Sequence, residues 1–249
     1  MNTAGVSFQW GLIWDNRAIL FKGLGTAIVV SITALVLSLI LGLALALARM
    51  STHRFVSLMA STYVNIFRGI PALVSVIWVY FGWSLLFGYN FTVFEAGVIA
   101  LTLLYSAFFC EIYRAALVAV HNGQREAGLA LGMTRIRIFL SVVMPQATKI
   151  AVPNIGSMYI GMIKDTSTFA VVGLVEVVRV TQNLNSVHFQ PFVLYTAAAT
   201  LYVIVAFIID FIFRAIEKNL SSPPSGALAN ILTKRQSERI EVLIGKTYK

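Results

Sequence analysis

The chain has 249 residues, of which 58% are hydrophobic and only 12% charged, and its mean hydropathy is +0.82. Soluble domains carry roughly a quarter charged residues, so a soluble catalytic domain is excluded and one membrane domain is expected. A single cysteine, Cys110, rules out an internal disulfide, and the net charge of +9 is distributed as a topology signal rather than as a nucleic-acid surface.

Residues 1–22 hold Phe8, Trp10, Trp14 and Phe21 and read as an amphipathic segment at the outer interface. They lack the basic start and small-residue cleavage site of a secretory signal. Five predicted spans follow, in keeping with the about 20 apolar residues that one bilayer crossing needs. The first runs from Gly23 to Ala48 without a charge, its Gly and Ser residues suited to close helix packing. The second runs from Ile70 to Phe94, with Pro71 in its first turn, where proline costs little. The third covers Ala96 to about Val120 and carries Glu111 and Arg114 near its end. The fourth covers Ile150 to about Val178 and is interrupted by Lys164-Asp165. The fifth covers Phe192 to Ile209 and is closed by Asp210 and Arg214. Residues 23–218 are expected to form the membrane domain and 219–249 a basic tail, polar from Ser221 and marked by Pro223-Pro224.

Of the 19 Lys and Arg residues, only Arg17, Lys22, Lys164 and Arg179 stand apart from the loops that follow spans one, three and five. Basic residues gather on the cytoplasmic side. The N-terminus is therefore expected outside and the C-terminus inside.

The loop after the third span reads Gln124-Arg125-Glu126-Ala127-Gly128-Leu129-Ala130-Leu131-Gly132, and Pro145 lies further on. Gln124 to Leu131 can make two helical turns, Gly132 suits a helix C-terminus, and Thr134 can cap a second helix bearing Arg135 and Arg137. Such a short helix needs a partner, since helices below about 12 to 15 residues are marginal alone. Glu111 and Arg114 are spaced to pair on one helix face. Lys164 and Asp165 sit about 16 Å of helix beyond Pro153, near mid-membrane. Ionisable groups at that depth face a cavity, a partner or a pathway. Two readings stay open there: cavity lining with the Thr166 and Ser167 hydroxyls, or structural pairing of Lys164 with Asp165. Two patterns carry no chemistry. Gly245-Lys246-Thr247 lacks the first glycine of a phosphate-binding loop, which is Ile240 here. His53, His121 and His188 lack metal-ligand spacing, and no nucleophile and base converge, so an enzyme is not expected.

The order Glu126, Ala127, Gly132, Pro145 resembles the ATPase-docking loop, or EAA loop, of bacterial ABC importer permeases. Tyr63-Val-Asn-Ile-Phe-Arg68-Gly69-Ile-Pro71, Glu111-Ile-Tyr-Arg114 and Lys164-Asp165-Thr166-Ser167 are similar to motifs of the amino-acid-type importers that include histidine, glutamine and glutamate permeases. The likeness runs from about Gly23 to Lys218. Asn65 and Ser75 depart from the acid and glutamine of many relatives, with Asn65 resembling glutamate/aspartate-type members, and Gly128 replaces a usual alanine. The resemblance implies an all-α type I importer permease fold in the bacterial inner membrane, with five spans and a cytoplasmic coupling helix. It implies coupling through Glu126, Ala127, Gly128, Gly132 and Pro145, and a solute path near Asn65, Lys164, Asp165, Thr166 and Ser167. The implied partners are two ATPase subunits, a second permease subunit of the same or another kind, and an extracytoplasmic solute-binding protein. The implied solute is a polar amino acid, with an opine or sulfur amino acid as the alternative. ATP and Mg would bind the ATPase, and no cofactor this chain. The rival class, an ion-driven secondary transporter, calls for inverted repeats with broken helices, which the sequence does not display.

Overall fold

The computed structural model describes residues 8–221, and among these all regular structure is helical. Helix α1 is one short turn, Gly11–Asp15, and α2 runs from Arg17 to Arg49. The interfacial segment therefore merges into the first span ahead of residue 23. Arg17 stacks over the Trp14 ring at 4.6 Å and donates to the Trp14 carbonyl, which ties the aromatic anchor to the helix start.

Helix α3 is Arg54–Gly69 and α4 is Ala72–Phe87, the latter with a π-helical turn at Trp78–Gly82. The second span differs from the expectation of one run from Ile70 to Phe94. It is a pair of helices bent by 107°. The cause is Pro71, which biases the preceding residue to extended backbone: Ile70 has φ −92° and ψ 129°. Left-handed Gly88 then ends α4 at Phe87.

Helix α5, Val93–Ala119, starts at a capping box in which Thr92 and Glu95 satisfy each other's backbone donors. After the short α6, Asn122–Ala130, comes α7, spanning Arg135–Val172. It contains a π turn at Phe139–Val143, an α-helical body Met144–Asp165 and a 3₁₀ end Thr166–Val172. Pro145 is the second residue after the π turn, in the first turn of that body. The predicted fourth span thus starts earlier than Ile150, and Val177 and Val178 belong instead to α8, Val177–His188. Helix α9, Pro191–Ser221, continues past Ile209. There Asp210 and Arg214 form an i,i+4 pair at 2.8 Å. Residues 1–7 and most of the expected tail, 222–249, lie outside the described residues.

Among the described residues four helices are long and apolar enough to cross a membrane, and the bent pair α3–α4 gives a fifth when it is counted as one broken span. Small residues let them close up, as in membrane bundles generally. A Cβ on Gly42 of α2 would lie 2.8 Å from the Phe109 Cβ of α5. One on Gly156 of α7 would lie 2.6 Å from the Phe213 ring of α9. The core between them holds Val30, Leu101, Phe109, Met162, Ile163 and Phe169.

Candidate functional site

Two places carry the polar groups singled out in the sequence. The first is the elbow between α6 and α7. Glu126, Ala127, Leu129, Ala130 and Leu131 are exposed, and Glu126 forms no ion pair among the described residues. The helix ends in a complete Schellman arrangement: the Met133 N–H donates to the Gly128 carbonyl at 3.0 Å and the Gly132 N–H to that of Leu129 at 2.9 Å. Gly132 sits at φ +74°, a left-handed conformation costing other residues about 1–2 kcal/mol. Thr134 then accepts from the Arg137 N–H and starts α7. Gly128 faces inward: a Cβ there would lie 2.7 Å from Ile138 Cγ1. Its missing side chain is what lets α6 fold flat onto the first turn of α7. Arg125 donates to the Leu117 carbonyl at 3.3 Å, fastening α6 to the end of α5. A cleft of about 450 Å³ bounded by Leu47, Leu117, Arg125, Leu129 and Phe139 separates the elbow from the bundle. Pro145 is exposed, one π turn further along.

Glu111 and Arg114 meet, Nε to Oε2, at 2.9 Å, but they are half of a larger cluster. Arg49 from the end of α2 and Arg68 from the end of α3 both reach Glu111 Oε1. Arg49 also donates to Ser61 and its carbonyl accepts from Ser57. One carboxylate thus ties three helices together.

The second place is where α7 loosens into its 3₁₀ end. Lys164 and Asp165 do not pair: as neighbours on a helix they diverge. Asp165 accepts from the Tyr105 hydroxyl at 2.9 Å, and Tyr105 lies at the middle of α5. Lys164 points instead into a groove of about 650 Å³ between α7 and α9, which Ser167, Tyr195, Tyr202 and Asp210 also line. The hydroxyls of Thr166, Ser167 and Thr168 each donate to a carbonyl three residues back, all at 2.7 Å. They satisfy acceptors freed as the α-helix tightens. Thr166 is fully buried, and Asn65 faces outward on α3 and lines neither cavity. Of the two readings left open, direct pairing of Lys164 with Asp165 is not what the structure shows: Asp165 is anchored on Tyr105, and Lys164 lies beside Ser167 in the groove.

Sequence reading missed the long-range partners. Tyr63 bridges α3 to α5 through Leu103 and Ser106, and Ser31 meets Tyr159 between α2 and α7. Glu176, outside the spanning helices, is wholly buried and caps α8 by accepting from Val178, Arg179 and Tyr202. Burial pushes its carboxyl above the usual range, against the pull of those three hydrogen bonds. Only its place before a helix start hints at this role in the sequence.

Residues 34–222 match the family model described as binding-protein-dependent transport system inner membrane component. The chain is 31% identical over 216 residues to the glutamine transport system permease protein GlnP of Escherichia coli K12, covering 86% of this chain and 99% of that one. It is 33% identical over 222 residues to the L-cystine transport system permease protein TcyB of Bacillus subtilis, covering 88% and 94%. Among solved structures, one chain of an amino acid ABC transporter with histidines superposes with a TM-score of 0.80 at 30% identity, covering 86% of this chain and all of that one. A chain of the inward-facing MetNI methionine ABC transporter gives 0.68 at 21% identity and shares the fold.

Proposed function

This chain belongs to the family of binding-protein-dependent transport system inner membrane components, and from that premise we propose that it carries a polar amino acid inward as the permease subunit of an ATP-driven importer. The family and its apolar helices make it a multi-pass inner-membrane transport subunit. ATP and Mg bind a separate pair of ATPase subunits, one of which receives α6. A second permease subunit completes the path, and an extracytoplasmic binding protein delivers the solute. The N-terminus lies outside and the tail inside, as the basic-residue distribution favours. Lys164 and Ser167 belong to the solute path, with Asp165 holding that stretch of α7 in place. The observation that carries the reading is the elbow: a nine-residue helix too short to stand alone, closed by a left-handed glycine and exposed on its Glu126 and Leu131 side.

A second reading for the solute is a sulfur amino acid, favoured by the L-cystine permease among the relatives. The test is reconstitution with a candidate partner ATPase and binding protein from the same organism, followed by solute-stimulated ATP hydrolysis with glutamine and cystine. Hydrolysis stimulated by either solute, and lost in Gly132→Pro, is expected. An assembly in which Gly132→Pro still transports would remove the elbow from the coupling. Uptake without any ATPase would remove the class altogether.

A further inference from the structure

Glu176 does more than start α8. Ser, Thr, Asp or Asn satisfies a helix start as well, and a carboxylate buried without a cation is expensive. Glu176 is wholly buried and forms no ion pair among the described residues. What the longer acidic side chain adds is reach. Its Oε1 accepts from the Arg179 N–H at 2.7 Å. Its Oε2 accepts both from the Val178 N–H at 2.7 Å and from the Tyr202 hydroxyl of α9 at 2.8 Å, 26 residues on. Val178 and the half-buried Tyr202 line the same groove as Lys164 and Ser167, which Glu176 itself does not line. One oxygen therefore holds two parts of the groove wall, from α8 and from α9. The Glu176 backbone is in turn pinned against α2, where a Cβ on Gly23 would lie 3.0 Å from its carbonyl carbon.

We propose that Glu176 is a positioning residue for solute recognition, fixing Tyr202 and Val178 with respect to Lys164 and Ser167 and so setting the groove's affinity for solute. Glu176 has this role only if Lys164 and Ser167 belong to the solute path proposed for this subunit. A phenol tethered through its hydroxyl is held in one place on the wall. Walls ordered before the solute arrives bind it more tightly, because no further side-chain freedom is lost on binding.

The experiment titrates solute-stimulated ATP hydrolysis of the reconstituted importer with glutamine and with cystine. Glu176→Ala and Tyr202→Phe should each raise the half-stimulating solute concentration about threefold or more while the maximal rate stays within about twofold, the split that marks lost binding rather than lost turnover. The double variant should shift no further than the larger single change, because both cut one contact. Glu176→Gln keeps an acceptor oxygen for Tyr202 and should recover most of the wild-type value. Glu95→Ala breaks the capping box of α5 and should leave the concentration unchanged, which separates loss of a cap from loss of position. Should Glu176→Ala fail to assemble, Tyr202→Phe decides, since it leaves the cap of α8 intact. An unchanged half-stimulating concentration in Tyr202→Phe overturns the proposal. So do additive shifts, or a Tyr202→Phe shift that an assembled Glu176→Ala does not share, since Tyr202 would then act without Glu176. A wild type that neither solute stimulates brings down the solute path and this proposal with it.

Discussion

The elbow after α6 and the break at the end of α7 are both polar interruptions of an apolar chain, yet they are built in opposite ways. At the elbow every decisive contact is local: Gly132 to Leu129, Met133 to Gly128, Thr134 to Arg137. At the break the decisive contact, Tyr105 to Asp165, joins residues 60 apart. The elbow is consequently a backbone device, sensitive to dihedral angles, while the break is a side-chain device, sensitive to hydrogen-bond partners. Damage to the first should uncouple the protein without unfolding it, and damage to the second should loosen the bundle itself.

The largest effect is expected from Gly132→Pro. Proline fixes φ near −65° and lacks the N–H that Gly132 gives to Leu129, so the elbow cannot close. Uptake and solute-stimulated ATP hydrolysis in the reconstituted importer should both fall to background while membrane insertion is unchanged. Loss of insertion would show that the elbow also serves folding and would blur the contrast.

Next comes Glu111→Leu, which strips three arginines of their shared acceptor. Removing one partner of a buried charge network costs about 3–5 kcal/mol, and the partial exposure of Glu111, 20%, places the expected loss at the lower end. A detergent melting temperature within a degree of wild type would mean that the cluster holds nothing together.

A smaller effect is expected at the break. Asp165→Leu leaves the Tyr105 hydroxyl buried without an acceptor, at a cost of about 1–3 kcal/mol. Tyr105→Phe should recover part of that loss when combined with it, whereas Asp165→Asn should be mild, since its side-chain oxygen still accepts. Additive single effects in this cycle would dismiss the pairing. Lys164→Met tests the other half. It should change stability by less than about 0.5 kcal/mol, as expected for an unpaired exposed group, while shifting the solute concentration that half-stimulates ATP hydrolysis.

The smallest stability change among the structural sites is expected for Gly128→Ala. Its added methyl group presses on Ile138, and overpacking of this kind costs about 1–3 kcal/mol, reduced here because the site lies at the protein's edge. Coupling should weaken without disappearing.

These differences also explain what could be read in advance. Spans one, three and five were legible because a charge-free run of sufficient length has few other uses. Span two was not. Arg54 and Arg68 excluded α3 from any uncharged run, although Arg68 serves a cluster with Glu111. The capping role of Thr134 and the special place of Gly132 followed from local chemistry alone. Arg114 was within reach of the i,i+3 rule, but Arg49 and Arg68 come from 62 and 43 positions away. Lys164 and Asp165 left two readings open because adjacency in sequence is compatible with partnership, whereas a helix sends neighbours to different faces. Whichever helix waits on the other side is decided by packing, which no local pattern records.

The meeting of Gly128 with Ile138 has a consequence for anyone who builds hybrids of such proteins. The two positions divide one fixed volume between them, so an exchange at one presses on the other. A transplanted loop bringing alanine at 128 must bring valine, or something equally slim, at 138. A chimera whose junction falls between residues 128 and 138 joins two halves cut to different measures, and its α6 is expected to sit less closely on the first turn of α7.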